Sequence, residues 1–461
     1  MNPRVLLINP WIYDFAAYDL WSKPLGLLSL TGFLRSRGYE VHLIDCLDIH
    51  HPGMITGSGL TAPTRRAYGT GKFWREEVER PAPLSHVPRP FSRYGISPDL
   101  FVQALQRVES PSVVLVTSLM TYWYPGVQEA VAMVKQVHPN VPVLLGGVYA
   151  RLCRAHAQSC SGADYVADTG DTFPMESLIH TLQRLGVPLP AHPPQNAPPP
   201  YPAFDLLRRP EYVCIATSWG CPYRCRYCAS AYLQPSFIQR DPEEVLAEIL
   251  YWHDHLRVRD VAFYDDALLV NADTHLNILL EKLLSRGLNV RFHTPNALHV
   301  RELTLDTARL LRQTGFRTIR LGLETSDPNL RGNLDNKVGE GDFERAVRLL
   351  GQAGFGRRDV GVYVLLGLPG QSVASVRKTL ETVDRAGAVP YLAEYSPMPH
   401  TTLWDRAVQA SSWDLSEPLY HNNTLIPCWN PDQRSRVAEL RTHAKALRAP
   451  RAGEPKGFST A

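Results

Sequence analysis

The chain has 461 residues, enough for about two to three domains, and its 44% hydrophobic and 20% charged residues describe an ordinary globular protein. A formal net charge of +3 gives little basis for binding nucleic acid. No run of about 18 apolar residues marks a transmembrane helix, and the start, Met1–Pro10, reads as a short strand rather than a leader. A cytoplasmic location without a membrane span is therefore expected.

In chain order, residues 4–9 form an apolar run that predicts a buried strand, and 25–37 has helical apolar spacing that stops at Gly38. Further strands are predicted over 39–44, 113–117, 143–145 and 165–167, with a helix over about 126–137 after the third strand. Strands alternating with helices imply an α/β fold with a doubly wound, Rossmann-like parallel sheet in residues 1–185. An insertion over about 47–97, rich in Gly, Pro, Arg and His, is too long for an ordinary loop and is expected to be functional or partly disordered.

Residues 188–202 hold eight prolines and no apolar periodicity, so 186–206 is read as a stiff linker. Residues 207–400 then repeat strand and helix six times. The strands are placed over 212–218, 260–264, 290–294, 318–322, 361–366 and 391–395. Asp241, Pro242 and Glu244 have the pattern of a capped helix start, and Gly287, Gly315, Gly354 and Gly387 have that of helix stops. Six such units predict a partial (β/α)6 barrel. Residues 401–461 form a C-terminal extension, basic from about 430, helical in part and then disordered.

Eight cysteines are scattered along the chain, and three of them cluster as Cys221-Pro-Tyr-Arg-Cys225-Arg-Tyr-Cys228. Three thiolates with this spacing suit three irons of a cubane cluster, leaving the fourth iron open to a small molecule. A structural zinc site would need a fourth ligand, for which Cys214 is the nearest candidate although it sits in an apolar strand. A disulfide framework and chance clustering are the remaining readings. The triplet follows a strand and begins at Gly220, the loop position where parallel barrels place their chemistry.

The triplet, with Tyr227 as the aromatic residue before its last cysteine, resembles the signature of the radical S-adenosylmethionine (radical SAM) superfamily. Residues 210–400 are similar to its core domain through Phe263-Tyr-Asp265-Asp266, Gly322-Leu-Glu324-Thr, Gly367-Leu-Pro-Gly370 and Ser396-Pro-Met-Pro399. Two positions depart from the pattern: Gln371 stands where glutamate is common, and His400 where glycine is frequent. As a whole the chain resembles the radical SAM proteins that carry a cobalamin-binding domain. The resemblance implies that Cys221, Cys225 and Cys228 hold a 4Fe–4S cluster and that Tyr227, Asp265, Asp266, Asn296, Glu324, Lys337, Gly367 and Gly370 lie around SAM. Acidic or amide groups would meet the amine of SAM, Lys337 its carboxylate and Glu324 its ribose hydroxyls, while the two glycines would admit the adenine.

For the first domain the resemblance implies a corrinoid, with Ser118 after the third strand and Gly146-Gly147 after the fourth as contacts, and Asp168-Thr-Gly170-Asp171 as the closing turn. Asp48-Ile-His50-His51-Pro-Gly53 matches D-x-H-x-x-G, whose histidine can ligate cobalt, but it follows the second strand rather than the first and is read as coincidental. The loop after the first strand, Asn9-Pro-Trp-Ile-Tyr-Asp14, has no histidine. Aromatic residues crowd the first loop and the helix after the third strand, Trp11, Tyr13 and Trp123 among them, and are suited to core packing or to lining a cavity.

The implied activity is reductive cleavage of SAM to a 5′-deoxyadenosyl radical, followed by cobalamin-dependent methyl transfer to an unactivated carbon of a small molecule. Electrons would come from an external donor such as flavodoxin or ferredoxin. The rival readings are a radical cyclase or rearrangement enzyme, a methylthiotransferase, and a corrinoid- or SAM-sensing module without catalysis. Methylthio transfer would need a second cluster, and Cys46, Cys153 and Cys160 have the wrong spacing for it. No residue is identified as a catalytic acid, base or nucleophile, and the substrate is not legible.

Overall fold

The computed structural model describes residues 2–57, 59–168, 175–191, 198–334 and 337–451. Their contacts form two units, Met1–Arg66 with Thr70–Pro210, and Ala67–Gly69 with Glu211–Ala461. The expected turn beyond Asp168, residues 192–197 of the linker and the end of the basic tail lie outside the described residues.

The first unit is built on five parallel strands: β1 (Arg4–Asn9), β2 (Glu40–Asp45), β3 (Val113–Val116), β4 (Val143–Leu145) and β5 (Tyr165–Val166), in the order β2-β1-β3-β4-β5. β1, β3 and β4 are apolar runs because both faces of a doubly wound sheet are covered by helices. Helix α1 (Leu25–Ser36) contributes Leu27, Phe33 and Leu34 to the core around Val5, Leu7, Val113 and Leu115. Gly38 then takes φ +96°, the left-handed geometry that ends the helix. This strand order reverses direction between β1 and β3, and such a switch point opens a crevice at the carboxyl edge of the sheet.

The insertion is folded rather than disordered in its described part. Phe91–Tyr94 pairs antiparallel with Arg75–Val78 on one side and with Ile12–Asp14, from the loop after β1, on the other. Phe73, Trp74, Phe91 and Tyr94 are buried. The linker is likewise not a free spacer at its far end. Phe204 is buried, Ala203 N–H donates to Leu28 O at 2.9 Å, and Arg35 pairs with Asp205 at 2.6 Å. A Cβ on Gly32 of α1 would fall 1.8 Å from Tyr201 O, so this approach needs glycine.

The second unit is a parallel sheet of six strands in chain order: β6 (Val213–Ile215), β7 (Asp260–Phe263), β8 (Arg291–His293), β9 (Phe316–Glu324), β10 (Val360–Leu366) and β11 (Val389–Glu394). β6 and β11 are not paired to each other among the described residues, so the barrel is open. Phe263, Phe292 and Phe316 stack across three neighbouring strands with centroids 5.3–5.7 Å apart and fill the interior. Helix α2 (Pro242–Leu256) starts as expected, with the Asp241 carboxylate accepting from Glu243 N–H. Gly287, Gly315, Gly354 and Gly387 all have positive φ. β6 ends earlier than the apolar run suggested. Ser218–Trp219 is a separate strand, paired with Ile238–Gln239.

In the C-terminal extension, helix Val437–Leu447 lies against helix Val373–Arg385 and β11. Leu403, Leu415 and Cys428 join a cluster around Leu365, Leu368 and Tyr395. The segment is thus part of the second unit's core. No helix of the described residues is long and apolar enough to cross a membrane.

Candidate functional site

The cysteine segment is a loop with a tied neck. Ser218–Trp219 and Ile238–Gln239 pair on either side of it, and Gly220 turns the chain at φ +77°, where a Cβ would meet Ser236 O at 2.5 Å. Below the neck sits Asp265, fully buried. Its carboxylate accepts from Thr217 N–H at 3.0 Å, Thr217 Oγ1 at 2.7 Å and Ser218 Oγ at 2.7 Å. Burial pushes this carboxyl up from its ordinary range, and the donors on Ser218 and Thr217 oppose the shift. Arg240 adds a second anchor, donating to Ala216 O at 2.8 Å and pairing with buried Glu248 at 2.6 Å. The middle of the segment is held by the backbone of Arg226, whose N–H donates to Leu334 O and whose carbonyl accepts from Leu403 N–H, both at 2.8 Å.

So held, Cys221, Cys225 and Cys228 all line one cavity of about 300 Å³ at the carboxyl ends of the strands. Among the described residues no three His, Cys, Asp or Glu side chains converge as ligands of a single ion. Cys214, the nearest candidate for a fourth zinc ligand, is buried in β6 and is not in the wall of this cavity. Ser230 N–H approaches Cys228 Sγ at 3.5 Å. Burial pushes the Cys221 thiol up from its ordinary value.

Asp266, Asn296, Glu324, Lys337 and Tyr227 line the same cavity. Asp266 follows Asp265 directly, just beyond the end of β7; the Asp265 carboxylate is taken up by the neck, while Asp266 lines the cavity. Asn296 is oriented by donating from Nδ2 to Tyr264 O at 2.9 Å and Asp265 O at 3.3 Å. Glu324 ends β9 at φ +63°, a left-handed conformation rare for a residue with a Cβ, at the point where the register with β10 shifts. Lys337 Nζ donates to Glu324 Oε1 at 2.8 Å and lies 5.6 Å from the centre of the Tyr227 ring.

Three residues of the expected set are placed otherwise. Asp265 is not in the cavity wall, for its oxygens are taken by Thr217 and Ser218. Gly367 and Gly370 are also outside the wall, at φ +99° and +78°. At Gly367 the space a side chain would take is filled by Ile426, whose Cγ2 is 2.8 Å from the position of a Cβ. Gln371 shapes this turn: Oε1 accepts from Gly367 N–H at 2.9 Å and Leu368 N–H at 3.2 Å, and Nε2 donates to Leu365 O at 2.8 Å.

Sequence reasoning missed Tyr223, His299 and Tyr363, which also line the cavity. Tyr223 lies within the cysteine triplet and His299 three residues after Asn296 in the same loop, and both positions were signals that could have found them. Tyr223 donates to Glu302, and burial together with that carboxylate pushes the phenol well up. His299 stacks against Tyr223 with centroids 4.5 Å apart. Burial and the charge of Lys337 pull its imidazole down to about 3, so it is neutral.

In the first unit, a small hollow of about 10 Å³ lies at the β1/β3 switch point, walled by Asn9, Trp11, Leu47, Ser118, Met120 and Trp123 among others but not by Gly146 or Gly147. Ser118 Oγ donates to Gly146 O at 2.7 Å. Gly147 has φ +92°, and a Cβ there would fall 2.3 Å from Ser118 O, whereas a Cβ on Gly146 would meet nothing within 4 Å. The loops after β3 and β4 therefore close on each other and leave open space over Gly146. No histidine is among the residues walling the hollow. His50 and His51 serve a turn instead: His50 N–H donates to Asp48 Oδ1 at 2.8 Å, and His51 Nδ1 accepts from Gly53 N–H at 3.2 Å. The aromatic residues here are chiefly packing groups. Trp11 is buried with its Nε1 on Ile96 O at 2.6 Å, and Trp123 Nε1 donates to Asp14 Oδ2 at 2.8 Å.

Comparison with known proteins agrees with both halves. Residues 215–383 match the profile of the Radical SAM superfamily and residues 93–176 that of the B12 binding domain. A Pyrococcus horikoshii protein named as an uncharacterized methyltransferase is 22% identical over 348 residues, covering 68% of this chain and 74% of that one. The radical SAM methyltransferase TsrM from Kitasatospora setae, solved with cobalamin and a [4Fe-4S] cluster bound, superposes with a TM-score of 0.62 at 18% identity over 90% of this chain and 80% of its own. The cobalamin-dependent SAM radical enzyme OxsB, solved with aqua-cobalamin and SAM bound, gives 0.55 at 12% identity over 96% of this chain and 62% of its own. These two structures share the fold. With the cysteine segment at the rim of an open parallel barrel and the switch-point hollow in the domain before it, the chain belongs to the radical SAM superfamily, among the members that carry a B12-binding domain and use a 4Fe–4S cluster, SAM and cobalamin.

Proposed function

We propose that the chain is a cobalamin-dependent radical SAM methyltransferase acting on a small molecule, with Cys221, Cys225 and Cys228 as the cluster ligands. The observation that carries this reading is the single cavity at the barrel rim in which those cysteines meet Asp266, Asn296, Glu324 and Lys337. When bound, the cluster supplies an electron for the cleavage of SAM, and the corrinoid carries the methyl group that is transferred.

The chain's own residues bind and orient. Asp266 and Asn296 place a carboxylate and an oriented amide on the side of the cavity next to the cysteines, where the amine of SAM would find acceptors. Glu324 and Lys337 place an anion and a cation on the wall, where ribose hydroxyls and the carboxylate of SAM would find partners. Asp265 and Arg240 hold the neck of the cysteine segment, so the three thiolates keep their spacing. Tyr227 and Tyr363 cover the wall with aromatic surface that keeps water from the reacting groups. In the first unit, Ser118, Gly146 and Gly147 would take the corrinoid. Reducing equivalents would come from an external one-electron donor.

The test is anaerobic reconstitution of the full chain with iron, sulfide and cobalamin, followed by incubation with SAM carrying a labelled methyl group. Stoichiometric cobalt beside about four irons, with 5′-deoxyadenosine formed and label passing to an acceptor, is the expected result. Replacement of any of the three cysteines by Ala should remove iron and cleavage together. SAM cleavage without label transfer, in a chain that holds both cofactors, would point to a cyclisation or rearrangement instead.

A further inference from the structure

Among the described residues of the cavity wall, His299 is a polar group that the preceding assignments leave without a task. It is 6% exposed, so more than nine-tenths of it is buried, and it lines the cavity. Nδ1 is buried and has no hydrogen-bond partner among the described residues. Its position is fixed on two sides. Tyr223 stacks on the ring, itself tethered to Glu302, and His299 O accepts from Glu302 N–H at 3.1 Å at the start of the 3-10 turn Val300–Glu302.

A buried imidazole nitrogen without a partner is destabilising, and each such group in a folded protein calls for a physical account. The charged side chains nearby do not complete this one. Lys337 and Glu324 are bonded to each other, and Glu302 is bonded to Tyr223. His299 lines the cavity that the cysteines also line, so a group held there is what its imidazole can meet.

We infer that His299 is a further binding residue of this site, its imidazole donating a hydrogen bond to an electron-rich acceptor held at the cluster. This rests on the reading that Cys221, Cys225 and Cys228 bind the cluster. Two sources offer the same acceptor chemistry, a sulfide of the cluster and the carboxylate of SAM. A bond to sulfide stabilises the reduced cluster and raises its potential. A bond to the carboxylate strengthens the binding of SAM without moving the potential of the SAM-free cluster.

The experiment uses the reconstituted full chain and the variants H299F, which keeps an aromatic ring against Tyr223 but has no N–H, H299L as a second donor-free variant, and H299Q, which restores an N–H. Iron content, the midpoint potential of the SAM-free cluster and the Kd for SAM are measured on each. The donor-free variants should retain wild-type iron. They should then show either a lowered potential or an unchanged potential with SAM binding weakened about tenfold, the loss expected for one hydrogen bond to a charged group. H299Q should recover part of whichever quantity moves. Wild-type potential and wild-type Kd in both donor-free variants would overturn the inference. So would folded donor-free variants without iron, since His299 would then serve the cluster's retention. A wild-type chain that holds no iron would overturn the cysteine reading itself, and the inference with it.

Discussion

Lys337 Nζ lies 2.8 Å from Glu324 Oε1, and each side chain is only 8% exposed, in the wall of the cavity that the three cysteines also line. The two charges therefore neutralise each other where no cofactor contact is needed to hold them. Glu324 reaches this position through a left-handed backbone, a strain that persists only where the surroundings impose it. Removing one member leaves a buried, uncompensated charge, which costs about 3–5 kcal/mol. K337M should accordingly destabilise the chain by about that amount in anaerobic urea unfolding. Adding E324Q to it should cost less than the sum of the two single changes, because the double variant buries no lone charge. Additive losses would show that the pair is not coupled.

Asp265 supports the site from outside the cavity. D265A removes the acceptor of Thr217 N–H, Thr217 Oγ1 and Ser218 Oγ, all in a buried setting. Leaving even one such donor unsatisfied costs about 1–3 kcal/mol, so a loss at or above the upper end of that range is expected in denaturant unfolding. D265N, which keeps one acceptor oxygen, should lose less. Because these bonds hold the neck of the cysteine segment, iron retained after desalting should fall in the same order, wild type above D265N above D265A. Full iron in D265A would separate the neck from the cluster site.

Much of this architecture was legible. Apolar runs marked ten of the eleven sheet strands to within about two residues, and glycines marked the helix ends, because a left-handed C-terminal turn excludes most side chains. The cysteine triplet and the loops after successive strands pointed to one rim, since parallel strands bring all their carboxyl ends together. What could not be read depends on pairing between distant residues. Nothing local says that residues 91–94 will take Ile12–Asp14 as a strand partner and so order the insertion. Nor does the dipeptide Asp265-Asp266 reveal which carboxylate turns to Thr217 and which to the cavity, as that depends on the turn the chain takes beyond the end of β7. Lys337 and Glu324 were each matched to a different part of SAM, and only the folded backbone brings them to each other.

Gln371 gives a test with a pH signature. Glutamate is frequent at this position in the proteins the chain resembles, but here the side chain both accepts, from Gly367 N–H and Leu368 N–H, and donates, to Leu365 O at 2.8 Å. The group is 1% exposed. An ionised glutamate could keep the two accepted bonds but would set a carboxylate oxygen against the Leu365 carbonyl. Q371E should therefore lose about 1–3 kcal/mol near neutral pH, the cost of a buried polar group facing the wrong partner. Protonation would restore a donor, so the folded state raises this carboxyl's pKa above its unfolded value. The loss is then largest above the folded pKa and is relieved as pH falls toward the unfolded one. Urea unfolding of wild type and Q371E compared at about pH 8 and about pH 5 should show the gap narrowing at the lower value. A gap independent of pH would mean that the turn rearranges to free the carboxylate from Leu365 O.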